Sequence, residues 1–309
     1  MTFQQLEYIV AVDEHRHFVN AATACGVTQS TLSSTIAKLE QEVDVIIFDR
    51  SKHPIEPTAL GKKLISQARV ILHNSQQLRD LVQSEKDSDR GNLFIGIIPS
   101  VSPYIYPEMA RQMKSIYPNI LTTVTEDFAP NLIEKLQRSE LDMAIVSSGD
   151  IQDTNLYEIE LYSERFMLYV SPASPLWQRE WVRPEDLLSG DMWTLRAFHD
   201  HYQQLSSFVH RESFHTTTFS HGSLSTLVRM VDANGGYTLL PELFRLALTP
   251  EQQKNLRPIQ GPKFFRTISL AIRQDYMRER MLNIIADAVK HVIPEEMQSA
   301  RISKNKIRL

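Results

Sequence analysis

The chain has 309 residues, 42% hydrophobic content and a formal net charge of −4, which predicts two or three domains with a sizeable core and excludes general affinity for polyanions. Its one cysteine excludes an intramolecular disulfide and any multi-thiolate metal site. With no signal peptide and no apolar run long enough to cross a bilayer, a cytoplasmic protein without membrane contact is expected.

The first element to carry chemistry is His17–Arg50, HFVNAATACGVTQSTLSSTIAKLEQEVDVIIFDR, which predicts a helix-turn-helix running into a wing. Ala21, Ala22 and Cys25 put small residues on one face of a short helix, where a second helix can cross closely. Gly26 suits the left-handed residue that ends the first helix, and Thr28 suits the N-cap of the next. From Gln29 to Glu42, Leu32, Ile36, Leu39 and Val43 recur at helical spacing and predict one buried face. The opposite face offers Gln29, Ser30, Thr31, Ser33, Ser34, Thr35 and Lys38, short polar groups able to approach base edges and phosphates. An ordinary solvated helix would carry more Glu and Lys there. The segment IIFDRSKHPIEPTALG then predicts a strand and a turn with Arg50, Lys52 and His53 placed for phosphate contact. Acidic residues slightly outnumber basic ones over residues 1–63, so the case rests on local arrangement.

A long helix is expected from about Thr58 to Lys86. Leu64, Ala68, Ile71, Ser75, Leu78 and Val82 alternate spacings of four and three, a narrow heptad seam that calls for a partner helix and predicts a homodimer. Residues 84–92, SEKDSDRGN, form a charged break. Beyond it, short apolar strands alternate with helices: LFIGIIP, LTTVTED and MAIVSS with the helices between them, then RFMLYVSP, WTLR, TTTFSH, YTLLPEL and the late strand FFRTISLAIR. This alternation predicts an α/β domain with parallel pairing. Two such series with a late return strand suggest two subdomains around a cleft. Ligands in such domains bind at strand carboxyl ends near helix N-termini, where Ser100, Val101, Ser102, Ala129, Ser147 and Gly222 fall. Ser102 is expected to cap its helix. His199 and Asp200 add one titratable imidazole and one carboxylate to this candidate ligand set. The spacing of His199 and His201 puts them on different sides of a helix or loop, so no metal site is expected, nor any cofactor.

The segment LEYIVAVDEHRHFVNAA...VTQSTLSSTIAKLEQEV...FDR...T..G resembles the DNA-binding domain of LysR-type transcriptional regulators, and the resemblance extends over the chain. It implies an α+β multi-domain protein: a winged helix-turn-helix at 1–58, a linker and dimerisation helix at 59–90, and a regulatory domain at 91–309 similar to periplasmic binding proteins. Within the last, subdomain I is expected at about 91–164 and 268–300 and subdomain II at about 165–267. The implied partners are operator DNA, a small-molecule effector and RNA polymerase, in a homodimer or homotetramer. The wing departs from the family pattern, with His53 where a basic residue is usual and Thr58-Ala59-Leu60-Gly61 in place of T-x-A-G. IGIIPSVSPYIYP, FHDHYQQ and SLSTLVRMVDANGGYTLLPEL further resemble the peroxide-sensing OxyR branch. That resemblance places Asp200 and Val209 where the branch has its two redox cysteines, Tyr202 where it has an arginine, and Ala129 where it has a threonine. Only Ser100 and His199 keep comparable groups. Control by a ligand rather than a disulfide follows, since thiol–disulfide switching needs two thiols. A peroxide-stress regulator working without the thiol switch is an alternative reading. A small-molecule hydrolase is another, disfavoured because no G-x-S-x-G elbow appears, and no catalytic residue is assigned.

Overall fold

A computed structural model describes residues 1–84, 91–151, 155–187, 191–195, 215–219, 222–261 and 265–303. They form two compact units, one built on the N-terminal helices and one on a large mixed sheet.

In the first unit, helix α1 (Phe3–His15) opens on a capping box. The Gln5 amide donates to the Thr2 hydroxyl, and the Thr2 amide donates to the Gln5 side-chain oxygen at 2.7 Å. Helix α2 (Phe18–Ala24) is capped by Nδ1 of His17 and ends through Cys25 into Gly26, whose φ of 67° is the left-handed turn expected there. Helix α3 (Gln29–Val43) starts at Thr28 and buries Leu32, Ile36 and Leu39. These join Leu6, Ile9, Val12, Ala21 and Phe48 in one core cluster. Truncating Leu32 to Ala costs about 2–5 kcal/mol on the usual scale for a fully buried leucine. Strands β1 (Phe48–Asp49) and β2 (Glu56–Pro57) pair antiparallel as the wing, and helix α4 (Ala59–Ser84) follows directly.

The join between wing and α4 is set by two residues. The Thr58 hydroxyl donates to the Ile46 carbonyl at 2.8 Å and accepts the Gly61 amide at 2.9 Å. Gly61 lies so close to the Ile47 carbonyl that a Cβ would stand 2.1 Å from its oxygen. The Thr58-x-x-Gly61 spacing therefore has a mechanical reason. Along α4 the heptad seam divides. Ala68 is buried with Ile65 in the unit's own core, whereas Ile71 and Leu78 are 43% and 57% exposed in the single chain.

The second unit begins with β3 (Gly91–Ile97), which pairs parallel with β4 (Ile120–Glu126) and β5 (Met143–Ser147) across α5 (Ser102–Ile116) and α6 (Ala129–Gln137). Strand β6 (Leu156–Val170) begins at Leu156, well before the Arg165 start the sequence suggests, because Glu158, Glu160 and Glu164 interrupt its apolar pattern. It crosses between two halves of the sheet. Residues 156–165 pair with β11 (Phe265–Arg273), while 166–170 pair with β9 (Tyr237–Pro241). Between them in sequence lie β7 (Asp191–Leu195), β8 (His215–Phe219), α7 (Leu224–Asn234), the short α8 (Pro250–Gln253) and β10 (Leu256–Pro258). Strands β7, β8 and β9 are parallel to one another. Helix α9 (Glu279–Lys290) buries Leu282, Ile285 and Val289, and α10 (Ala300–Ser303) follows. The full order is β4-β3-β5-β11-β6-β9-β7-β8, with β10 on β6.

Candidate functional site

The exposed polar face of α3 is organised from its first turn. The Thr28 hydroxyl accepts the Thr31 amide and lies 3.0 Å from the Ser30 hydroxyl and 2.8 Å from that of Thr31. The Ser34 hydroxyl donates back to the Thr31 carbonyl. Gln29, Ser30, Thr31, Ser34 and Lys38 are exposed, and Ser33 is half-buried toward the core side. Short side chains tied to their own backbone leave a smooth polar ridge at the helix N-terminal half, which suits insertion into a major groove.

The wing is braced rather than free. Oε1 of Glu40 accepts the Ile47 and Phe48 amides at 2.7 and 3.2 Å, and its Oε2 pairs with Arg50 at 3.0 Å. Arg50 also lies over the Phe18 ring, 5.3 Å from its centroid. Lys52 pairs with Glu56 at 2.6 Å, and His53 is exposed. Arg50 thus has a structural partner within the unit as well as an exposed cationic head. Glu40, which orders this corner, escapes a sequence reading because a glutamate on a helix normally faces water.

Cys25 is half-buried and packs on the helix-turn-helix core. Burial, reinforced by Glu7 and Glu14, pushes its thiol pKa up. Such a thiol is a poor nucleophile, because the thiolate is the reactive form.

In the second unit, β3, β4 and β5 run parallel, so their carboxyl ends bring Ser100, Ala129 and Ser147 to one edge. Gly222 follows β8 in the other half and packs close to Leu195. Ser100, Ser147 and Gly222 are half-buried, while Val101, Ser102 and Ala129 are buried. The Val101 and Ser102 amides donate to the Ile98 carbonyl. The helix therefore starts one residue earlier than expected: Val101 is its N-cap, without a side-chain cap, and Ser102 is already helical. His199 and Asp200 lie outside the described residues, as do His201, Tyr202 and Val209.

Behind Ser100 lies a fully buried ionic network that the sequence does not announce. Arg266 donates through Nη1 to the Ser100 hydroxyl at 2.7 Å and through Nη2 to its carbonyl at 3.1 Å. Its Nε donates to Oε1 of Glu164 at 2.9 Å. Tyr104 donates to the same carboxylate at 2.7 Å and lies 2.8 Å from the Tyr162 hydroxyl. Burial lowers the Arg266 pKa, but Glu164 and the phenols outweigh it and hold the pKa above its ordinary value. Burial, with Glu164 adding, pushes both tyrosines well up, so they remain protonated donors. A guanidinium cannot accept a proton, so this neighbour gives Ser100 no general base of the kind an activated serine requires. The Ser148 and Ser269 hydroxyls donate to the Glu158 carboxylate.

Among the described residues no helix is long and apolar enough to cross a membrane. Comparison with known proteins agrees with these two units. Residues 3–62 match the model for the bacterial regulatory helix-turn-helix protein, lysR family, and residues 86–293 match the LysR substrate binding domain. A hydrogen peroxide-inducible genes activator of Haemophilus influenzae is 32% identical over 95% of this chain and 99% of its own length. The DNA-binding transcriptional dual regulator OxyR of Escherichia coli is 31% identical over 94% of this chain and 95% of its own. A full-length OxyR from Pseudomonas aeruginosa carrying a cysteine-to-aspartate substitution superposes with a TM-score of 0.81, at 29% identity over 97% of this chain and 98% of that one. With a helix-turn-helix, a braced wing and a mixed-sheet regulatory domain, the chain belongs to the LysR family of bacterial helix-turn-helix regulators and is an OxyR-like, DNA-binding transcriptional regulator rather than an enzyme.

Proposed function

We propose that this regulator is controlled by a small polar effector rather than by a disulfide. The carrying observation is that the whole chain holds a single cysteine, Cys25, packed on the helix-turn-helix core with a raised pKa. The effector site comprises the loop at Ser100, Val101 and Ser102, the strand ends at Ala129 and Ser147, and Gly222, with His199 and Asp200 completing it. A helix N-terminus at Ser102 favours an anionic group and the Asp200 carboxylate opposes one, so a small polar molecule fits this set. Gln29, Ser30, Thr31, Ser33, Ser34 and Lys38 read operator DNA, and Arg50, Lys52 and His53 touch its backbone. The exposed Ile71 and Leu78 pair with a second copy, the regulatory units double the dimer to a tetramer, and the assembly engages RNA polymerase in the cytoplasm. The division of the chain at residues 58 and 90 is part of this reading.

A second reading keeps a role in peroxide stress. Relatives of this chain are named hydrogen peroxide-inducible genes activators, and the OxyR resemblance read from the sequence implies that Asp200 stands for a redox cysteine. A carboxylate there imitates an oxidised cysteine acid and holds one state. The test is operator footprinting of wild type and Cys25→Ser, each with and without peroxide. Unchanged footprints support thiol-independent control. A reversible peroxide response that Cys25→Ser abolishes overturns it.

A further inference from the structure

We infer that Glu164 and Arg266 form the joint between the two halves of the regulatory domain, a positioning pair that couples the Ser100 loop to the turn after β9. The pair lies where β6 changes partners. Glu164 and Arg266 are directly opposed in the β6–β11 ladder, and from Phe166 onward β6 pairs with β9 instead. The two carboxylate oxygens serve different halves. Oε1 accepts Tyr104 of α5 and Arg266, whereas Oε2 accepts the Leu243 amide at 3.0 Å, in the turn Glu242–Ala247 that follows β9. Arg266 completes the link by holding both the hydroxyl and the carbonyl of Ser100. Arg165 and Glu242, 3.9 Å apart, make a second tie beside it.

Energetics argue for geometry as the purpose. Both side chains are essentially sealed from solvent, 2% exposed for Arg266 and 0% for Glu164. A buried ion pair contributes little net stability compared with well-packed apolar residues of equal volume, because desolvation offsets the attraction. What a rigid carboxylate adds is direction, since its two oxygens cannot move independently. A shift of the Leu243 turn displaces one oxygen, and the other carries that displacement to Arg266 and so to Ser100. The joint itself does not depend on what binds near Ser100. Its use in regulation rests on the effector site proposed above.

The test is amide hydrogen exchange on the full-length protein. Arg266→Lys keeps the charge but loses the fork that holds Ser100 at two points. It is expected to speed exchange roughly tenfold or more in both 98–104 and 241–247, with β4 and α7 unchanged. Glu164→Gln is expected to do the same, because a carboxamide presents only one acceptor. The double variant should exceed neither single variant by much, since the two act as a unit. Exchange that rises only in 98–104, or evenly across the whole sheet, or multiplicatively in the double variant, overturns the joint. Operator footprints of the same variants separate the two claims: coupled exchange with unaltered footprints upholds the joint and counts against an effector role for Ser100.

Discussion

A Cβ at position 61 would meet the Ile47 carbonyl oxygen, which is backbone and has no flexible end to yield. Gly61→Ala is therefore expected to destabilise the N-terminal unit by about 1–3 kcal/mol or more, the range for forced overpacking. Urea titration of the full chain followed by operator binding measures it; a shift within error would mean that α4 can slide away from the wing. The Cys25 thiol lends itself to a labelling measurement. A thiol whose pKa is raised keeps its proton to higher pH in the folded state, so its thiolate fraction at neutral pH falls below that of a free cysteine. Iodoacetamide should label Cys25 more slowly than a short cysteine peptide at pH 7.5, and the rate should keep climbing beyond pH 9. Labelling at the peptide's rate would show the thiol open to solvent. For DNA, Gln29→Ala is expected to weaken operator binding by about 1–3 kcal/mol while leaving nonspecific binding nearly intact. Equal losses on all sequences would assign Gln29 to phosphate contact.

Among elements, the wing shows how an acidic side chain organises a basic surface. Glu40 accepts two wing amides and an arginine, so Glu40→Ala strands two donors and releases Arg50. A loss of about 1–3 kcal/mol in stability is expected from the unmet donors, with weaker binding on every sequence as the wing loosens. Preserved affinity with lowered stability would separate the brace from DNA contact. Helix α4 makes the complementary case. Ile71→Asp is expected to dissociate the proposed dimer, because an unpartnered charge would then be buried at its seam; sedimentation of an unchanged oligomer would move the interface elsewhere. The elements legible in the sequence were those set by near neighbours: the Thr28 cap, the Gly26 turn, the Leu32–Ile36–Leu39 stripe and the parallel strands. Those not legible depend on partners far along the chain. Glu164 reads as a surface residue and is buried only because Arg266 stands opposite it. The same three glutamates hid the first part of β6. The Ser100 loop was legible as a strand end, but its tether to β11 was not.

Across the two units, the contrast is between a family scaffold and the placement of its one sulfhydryl. Both family models place the chain in the LysR family and its nearly full-length relatives are OxyR-like regulators, yet its sole cysteine lies in the helix-turn-helix unit. Dithiothreitol and modest peroxide should leave operator footprints unchanged, whereas a metabolite that fits the regulatory unit should change them.

The fastening of α4 to the wing by Thr58 and Gly61 has a leverage effect. A helix of 26 residues is about 39 Å long, and its first turn is hydrogen-bonded and close-packed against the backbone at Ile46 and Ile47. It therefore behaves as a crank arm with the wing welded to its axle. A tilt of about 10° sweeps the far end through roughly 7 Å over that length. Conversely, a sideways push of a few ångströms at Ser84 arrives at the wing as a small rotation with little lost in between. Proline or glycine inserted midway along α4 would put slack in the crank while leaving both of its ends intact.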